Sequence, residues 1–187
     1  PHILTERQAM HSYLQRVQQA IDEAVRGLSL EQLAWHREGK WSAAAILEHL
    51  SLTYSGTAKG LQRGLDAGQP NITPPSTRQR VASFVVTTLR FMPPGRKAPA
   101  MVAPKGAFPE TVLADVRRNL IAADEAISRC EARFGAGASI ANHPILGPLT
   151  ARQWRTFHLV HARHHMKQIA RIRRQIAAET RAAAAHG

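Results

Sequence analysis

Four of the chain's ten histidines fall within eight positions, in the stretch HLVHARHHMKQ at residues 158–168. Imidazole is the commonest side-chain metal ligand and the side chain that titrates nearest neutral pH. His161 and His165 are four residues apart. On a helix that is about 400°, so both rings point the same way, about 6 Å apart along the axis. Two nitrogens at that spacing can hold one divalent ion. Gln168 follows on the same side, where it is a candidate for orienting a ligand or a nucleophile. Trp154, Ile169, Ile172 and Ile176 share much of this face, so it is expected to look inward. Inward imidazoles are costly unless their nitrogens are satisfied. A metal ion satisfies them, and so do core hydrogen bonds.

His49 bears on that choice. It lies close to Ile46 and Leu50 in WSAAAILEHL, a second apolar helical segment, and is expected to face inward as well. Alone it reads more readily as a hydrogen-bonded core histidine than as a ligand. A third inward histidine on another helix is, however, what a three-imidazole site needs. Such a site leaves the ion its full charge and open positions for water or substrate. Of the remaining histidines, His158 is a candidate to support a ligand from behind. His164, rotated about 100° from His165, is assigned to the edge of the face or to solvent. His143 precedes Pro144 and reads as a turn residue. His2, His11, His36 and His186 have no constellation around them. Glu48 adjoins His49 but points about 100° away and reads as a surface carboxylate, so no general base is identified. Arg163, Lys167, Arg171, Arg173 and Arg174 read as a solvated basic face. Cys130 reads as a small buried hydrophobe.

The elements that must carry these residues are helical. Met10, Leu14, Val17, Ile21, Val25 and Leu28 form one stripe, predicting a helix over 5–27 that stops near Gly27. A short turn, SLEQL, follows. Ser42 is a natural N-cap for a long second helix with Ile46, Leu47, Leu50, Tyr54, Leu61 and Leu65 on its core side, ended by Gly68 and Pro70. A third helix is predicted over 77–91, with a strand as the alternative because the segment is rich in β-branched residues. The Pro/Gly-rich segment 92–109 reads as an irregular connection lying over one end of the bundle. A fourth helix is predicted over 109–134. GAGASIANHPILGPLT reads as a loop, and Thr150 as the cap of a last helix over 151–180. No repeat or domain boundary is visible, so 1–187 is read as one all-α domain, a four-helix bundle with long crossover connections and short extra helical turns.

Composition sets outer limits. The chain has 187 residues, 44% of them hydrophobic, enough to build a core. No apolar run approaches the roughly 18 residues of a membrane helix, so no membrane partner is expected. The sequence does not open with a secretory signal pattern. One cysteine cannot form an internal disulfide. A reducing, cytoplasmic setting is therefore expected. The formal net charge of +12 favours contact with nucleic acid or other anions, but no helix-turn-helix or zinc-finger pattern accompanies it. A nucleic-acid partner is kept only as an alternative.

WSAAAILEHL, HARHHMKQI and NHPILGPLTARQWRTFH together resemble the motifs of the DinB-like superfamily, the last of them a subgroup with a His-Pro-x-x-Gly loop before the final helix and no assigned activity. The resemblance covers most of the chain in order and spacing. It implies a four-helix bundle with long crossover connections and a divalent metal on three histidines, which match His49, His161 and His165. It also implies a small-molecule substrate and a metal-dependent activity, as a thiol S-transferase using a low-molecular-weight thiol or as a hydrolase. Zinc or nickel is the expected ion, with iron and copper as alternatives, and a homodimer is compatible. A non-catalytic metal-binding bundle, acting as a sensor or interaction module, is the rival reading. Open coordination positions beside a pocket would favour the enzyme, and a closed site the rival.

Overall fold

A computed structural model of the protein describes residues 10–93 and 98–185. Six helices and one hairpin run in the order α1 (Ser12–Val25), α2 (Leu30–Ala34), α3 (Ala43–Asp66), α4 (Thr77–Ser83), α5 (Pro109–Phe134), β1 (Ser139–His143), β2 (Gly147–Thr150) and α6 (Ala151–Ala184). The four long ones, α1, α3, α5 and α6, form the bundle. Helix α3 packs chiefly on α5, and α1 on α6. Neither pair is consecutive in the chain, so the connections cross the bundle. Helix α1 contributes Leu14, Val17, Ile21 and Val25 to the core, as its stripe predicts. Helix α3 contributes Ile46, Leu47, Leu50, Tyr54 and Leu61. Helix α5 contributes Val112, Val116, Leu120, Ala123, Ile127 and Cys130. Among the described residues no helix is long and apolar enough to cross a membrane.

Local chemistry explains most boundaries. Ser42 caps α3 by accepting the Ala45 N–H at 3.0 Å, and Pro109 opens α5, where its missing N–H costs nothing. Thr150 and Gln153 cap α6 reciprocally. Helix α1 begins at Ser12 rather than at residue 5, with the His11 ring accepting the Tyr13 N–H. Residues 5–9 of the expected helix lie outside the described residues, as do His2 and His186. SLEQL is not a bare turn but the start of α2, closed by a capping box between Ser29 and Gln32.

Three further segments depart from the sequence reading. The predicted third helix is helical, but after Ser83 it widens into a π turn over Phe84–Thr88 and stops at Arg90, whose φ is +55°. β-branched Val85, Val86, Thr87 and Thr88 crowd a tight α-turn. The 92–109 connection contains a 3-10 turn, Ala100–Val102, that packs on α3. The stretch read as a loop before α6 contains the antiparallel hairpin β1–β2. Gly147 turns the chain into β2 at φ +73°, and a Cβ there would meet Pro75 at 3.2 Å and Gln79 at 3.3 Å. The hairpin therefore sits directly against the start of α4.

Candidate metal centre

Helices α3 and α6 bring three imidazoles to one point. The Nε2 of His161 lies 3.1 Å from the Nε2 of His49 and 3.0 Å from the Nε2 of His165. One nitrogen from each ring can be chosen so that no two are more than 4.8 Å apart, and all three residues are buried. The i, i+4 spacing on α6 aligns His161 with His165, and the packing of α3 across α6 supplies His49.

The outer nitrogens decide which way the lone pairs face. His49 Nδ1 donates to the Val102 carbonyl at 2.8 Å. His165 Nδ1 donates to Gln168 Oε1 at 2.8 Å, and the Gln168 amide nitrogen donates to His164 Nε2 at 3.3 Å. A carbonyl can only accept, so both Nδ1 atoms carry the proton and both Nε2 atoms turn a lone pair inward. Burial keeps the rings neutral. It pushes His165 down to about 4, helped by the neighbouring His49 and opposed by Gln168. It lowers His49, with the Val102 hydrogen bond opposing. It holds His161 well below the ordinary histidine value, with His165 and His49 adding to the effect.

This donor set fits a divalent ion. Two inward lone pairs face the Nε2 of His161, which can bring at most one proton to the meeting point. A cation accepts all three lone pairs and removes the conflict. In tetrahedral zinc coordination, with Zn–N at about 2.0–2.1 Å, adjacent nitrogens lie about 3.3 Å apart, close to the separations seen. Among the described residues no fourth His, Cys, Asp or Glu joins the group, which leaves at least one coordination position for a non-protein ligand.

Glu48 is not the surface carboxylate its sequence position suggests. It is buried and accepts the backbone N–H groups of Lys105, Gly106 and Ala107 at 2.9, 3.0 and 2.8 Å. Glu48 and His49 thus hold the two ends of one short segment, and Glu48 fixes the loop that presents the Val102 carbonyl. The sequence carried no signal for this, because the partner loop lies 57–59 residues away. Gln168, a candidate for orienting a ligand or a nucleophile, stands behind His165 and bonds its Nδ1. His164 sits at the edge of that face, partly buried. His143 has its turn role: its Nδ1 accepts the N–H groups of Ile145 and Leu146, both at 3.1 Å, so its Nε2 bears the proton. His158, expected behind a ligand, is fully buried. Arg173 departs from the solvated basic face by donating to the carbonyls of Ala24 and Arg26 at the end of α1. Cys130 is buried in the core.

A wall of aromatic rings separates the centre from a cavity of about 980 Å³. Phe157 lies flat on His161, centroids 5.3 Å apart and planes within 12°, and also lines the cavity with His143, Val81, Val86, Met92 and Ile145. The His143 ring meets Phe157 edge-on at 4.4 Å.

Two predictions follow from these contacts. Replacing Glu48 with Ala leaves three loop N–H groups without their acceptor, and urea denaturation should show a loss of about 1–3 kcal/mol. An unchanged midpoint would contradict the anchoring role. Burial lowers His143 and His165 to about 4 and His158 to about 3, against about 6.5 in the unfolded chain. Between pH 6.5 and 4 the unfolded chain therefore binds more protons than the native one, and stability rises with pH. The metal-free protein should be fully stabilised above pH 6.5 and progressively weaker below it; a denaturation midpoint constant from pH 7.5 to 4.5 would refute this.

Comparison with known proteins places this geometry in context. Residues 10–172 match a family described as "Protein of unknown function (DUF1569)". A search among curated proteins found no match. A solved structure, YfiT from Bacillus subtilis, superposes with a TM-score of 0.56 at 17% sequence identity, covering 95% of this chain and 93% of that one. YfiT is described as a probable metal-dependent hydrolase with an unusual four-helix bundle topology. At this identity the likeness establishes the shared fold.

Proposed function

We propose that this chain, which belongs to the DUF1569 family, is a divalent-metal enzyme of the DinB-like superfamily acting on a small molecule, as a hydrolase or as a thiol S-transferase. The observation that carries the reading is the convergence of three neutral imidazoles with no fourth protein ligand among the described residues. A structural zinc site closes its coordination sphere with four protein groups, whereas a catalytic one keeps a position open. The motif resemblance and the fold shared with YfiT support the superfamily, and the description of YfiT favours hydrolysis over thiol transfer.

His49, His161 and His165 would hold the ion, with zinc or nickel preferred for an all-imidazole set. When bound, a divalent ion supplies Lewis acidity, which brings a water or thiol toward ionisation near neutral pH. The chain's own groups do the rest. Val102 and Gln168 fix two ligands in the tautomer that presents Nε2. Phe157 stacks on the face of His161, and Trp41, itself partly exposed, lies tilted against the His49 ring. The cavity beyond Phe157 offers an apolar seat, with His143 among the residues that line it. Gln168 is spent on His165 and His164, so its role is to position a ligand.

The test is metal stoichiometry on untagged protein. Wild type should bind one zinc or nickel ion per chain, and His161→Ala none, while both give the same helical circular dichroism and a cooperative unfolding transition. Unfolding of wild type by exhaustive chelation would make the ion a structural staple instead and move the reading to the non-catalytic bundle.

One observation favours a second reading. Arg163, Lys167, Arg171 and Arg174 are all exposed and recur at helical spacing along one face of α6, a continuous basic stripe suited to a polyanion. A labelled DNA duplex should then bind with an affinity that falls steeply between 50 and 200 mM salt, on the order of 10²-fold if these four residues each neutralise a phosphate. Absence of binding at the lower salt would dismiss it.

A further inference from the structure

Two of the three imidazoles at the centre have a partner behind them, and the third does not. The Nδ1 of His161 is buried with no protein hydrogen-bond partner. It is not alone. Both ring nitrogens of His158, the hydroxyl of Tyr54 and the indole Nε1 of Trp154 are also buried without a protein partner. These groups are neighbours. The rings of Tyr54 and His158 meet at 5.1 Å, those of Trp154 and His158 at 5.8 Å, and Phe157 lies 5.1 Å from His158 and 5.3 Å from His161. Trp154, His158 and His161 occupy successive turns of one face of α6, and Tyr54 closes the cluster from α3.

Orphaned buried polar groups are rare, because each forfeits its hydrogen bonds to water without replacement. Five atoms in one cluster therefore require a common explanation. Burial keeps the Tyr54 hydroxyl protonated and His158 neutral at pH 7. With His161 Nε2 turned to the metal, its Nδ1 carries a proton. The cluster then holds four donors: His161 N–H, one His158 N–H, the Tyr54 O–H and the Trp154 N–H. It holds only two acceptor atoms, the other His158 nitrogen and the Tyr54 oxygen. The shortage is of acceptors, and the oxygen of a buried water, which typically makes about three hydrogen bonds, supplies them.

We propose that Tyr54, Trp154 and His158 form a buried water-binding site that completes the hydrogen-bonding shell of His161, the counterpart of Val102 behind His49 and of Gln168 behind His165. The inference rests on the proposed metal-ligand role of His161. Tyr54 and His158 are then positioning residues: through the water they hold the Nδ1–H tautomer of His161 and the angle of its ring.

A structure of the metal-free wild type at about 1.2 Å resolution should show ordered water within hydrogen-bonding distance of His161 Nδ1 and of Tyr54 or His158. A dry cluster overturns the proposal. Zinc titration of His158→Phe, which removes both nitrogens and keeps a ring, should show about 10–100-fold weaker binding, with helical content unchanged. His158→Gln, which keeps a donor and an acceptor, should recover most of the loss. Tyr54→Phe carries the same test should His158→Phe fail to fold: it removes only the hydroxyl and should weaken zinc measurably. Binding within twofold of wild type in folded His158→Phe, or in Tyr54→Phe in its place, overturns the proposal. Failure of wild type itself to bind zinc or nickel would instead defeat the metal-enzyme reading, and the water site in the metal-free structure would still be decided by its density.

Discussion

Three imidazoles can hold one ion between them only while all of them are neutral and turn a lone pair inward. A proton on an inward nitrogen would occupy the lone pair the ion needs, and the Nε2 of His161 stands only 3.1 Å from that of His49 and 3.0 Å from that of His165. Burial enforces neutrality, because removing the rings from water disfavours the charged form. Burial alone does not choose between the two neutral tautomers. That choice falls to the hydrogen bonds on the far side of each ring, and much of the surrounding structure is arranged to provide them.

This constraint explains why a loop distant in sequence from both histidine helices belongs to the site. The Val102 carbonyl can hold His49 only if the backbone around it is held in turn, and Glu48 does that by taking three consecutive N–H groups. A carboxylate with several backbone donors is a strong, directional anchor. The arrangement places a buried negative charge next in sequence to a candidate ligand, yet its oxygens are occupied by the loop. Glu48 is therefore structural in its immediate contacts and functional only through Val102. Gln168 is analogous on the α6 side, at shorter range, bridging His165 and His164.

The apolar residues around the centre serve the same end. Phe157 covers the face of His161, and the core stripes of α1, α3 and α5 fix the spacing of α3 and α6. The widened turn after α4 and the hairpin before α6 form the cavity wall on the other side of Phe157. The centre thus has a preorganised, buried interior, with a largely apolar cavity on the far side of Phe157.

What the sequence determined by itself was the set of local, periodic features. The helix predicted over 109–134 has ends, Pro109 and Phe134, that agree with the structure, and Ser42 and Thr150 marked two helix starts through their capping chemistry. The pairing of His161 with His165 was legible because four residues always span about one helical turn. His49 was legible as an inward residue from its helical period, and as their neighbour only through the motif resemblance, since helical period says which face a residue occupies and nothing about which helix lies opposite. Contacts between distant segments were decided only by the tertiary structure. Glu48 reads as a surface acid until the 105–107 loop folds onto it, and Arg173 reads as solvated until α1 ends beside it. The hairpin at 139–150 was invisible because its strands are short and glycine-flanked, and are held by each other and by α4 rather than by any pattern of their own. His158 shows the limit most clearly: its place behind His161 follows from helical spacing, but its complete burial against Tyr54 exists only once α3 and α6 have packed.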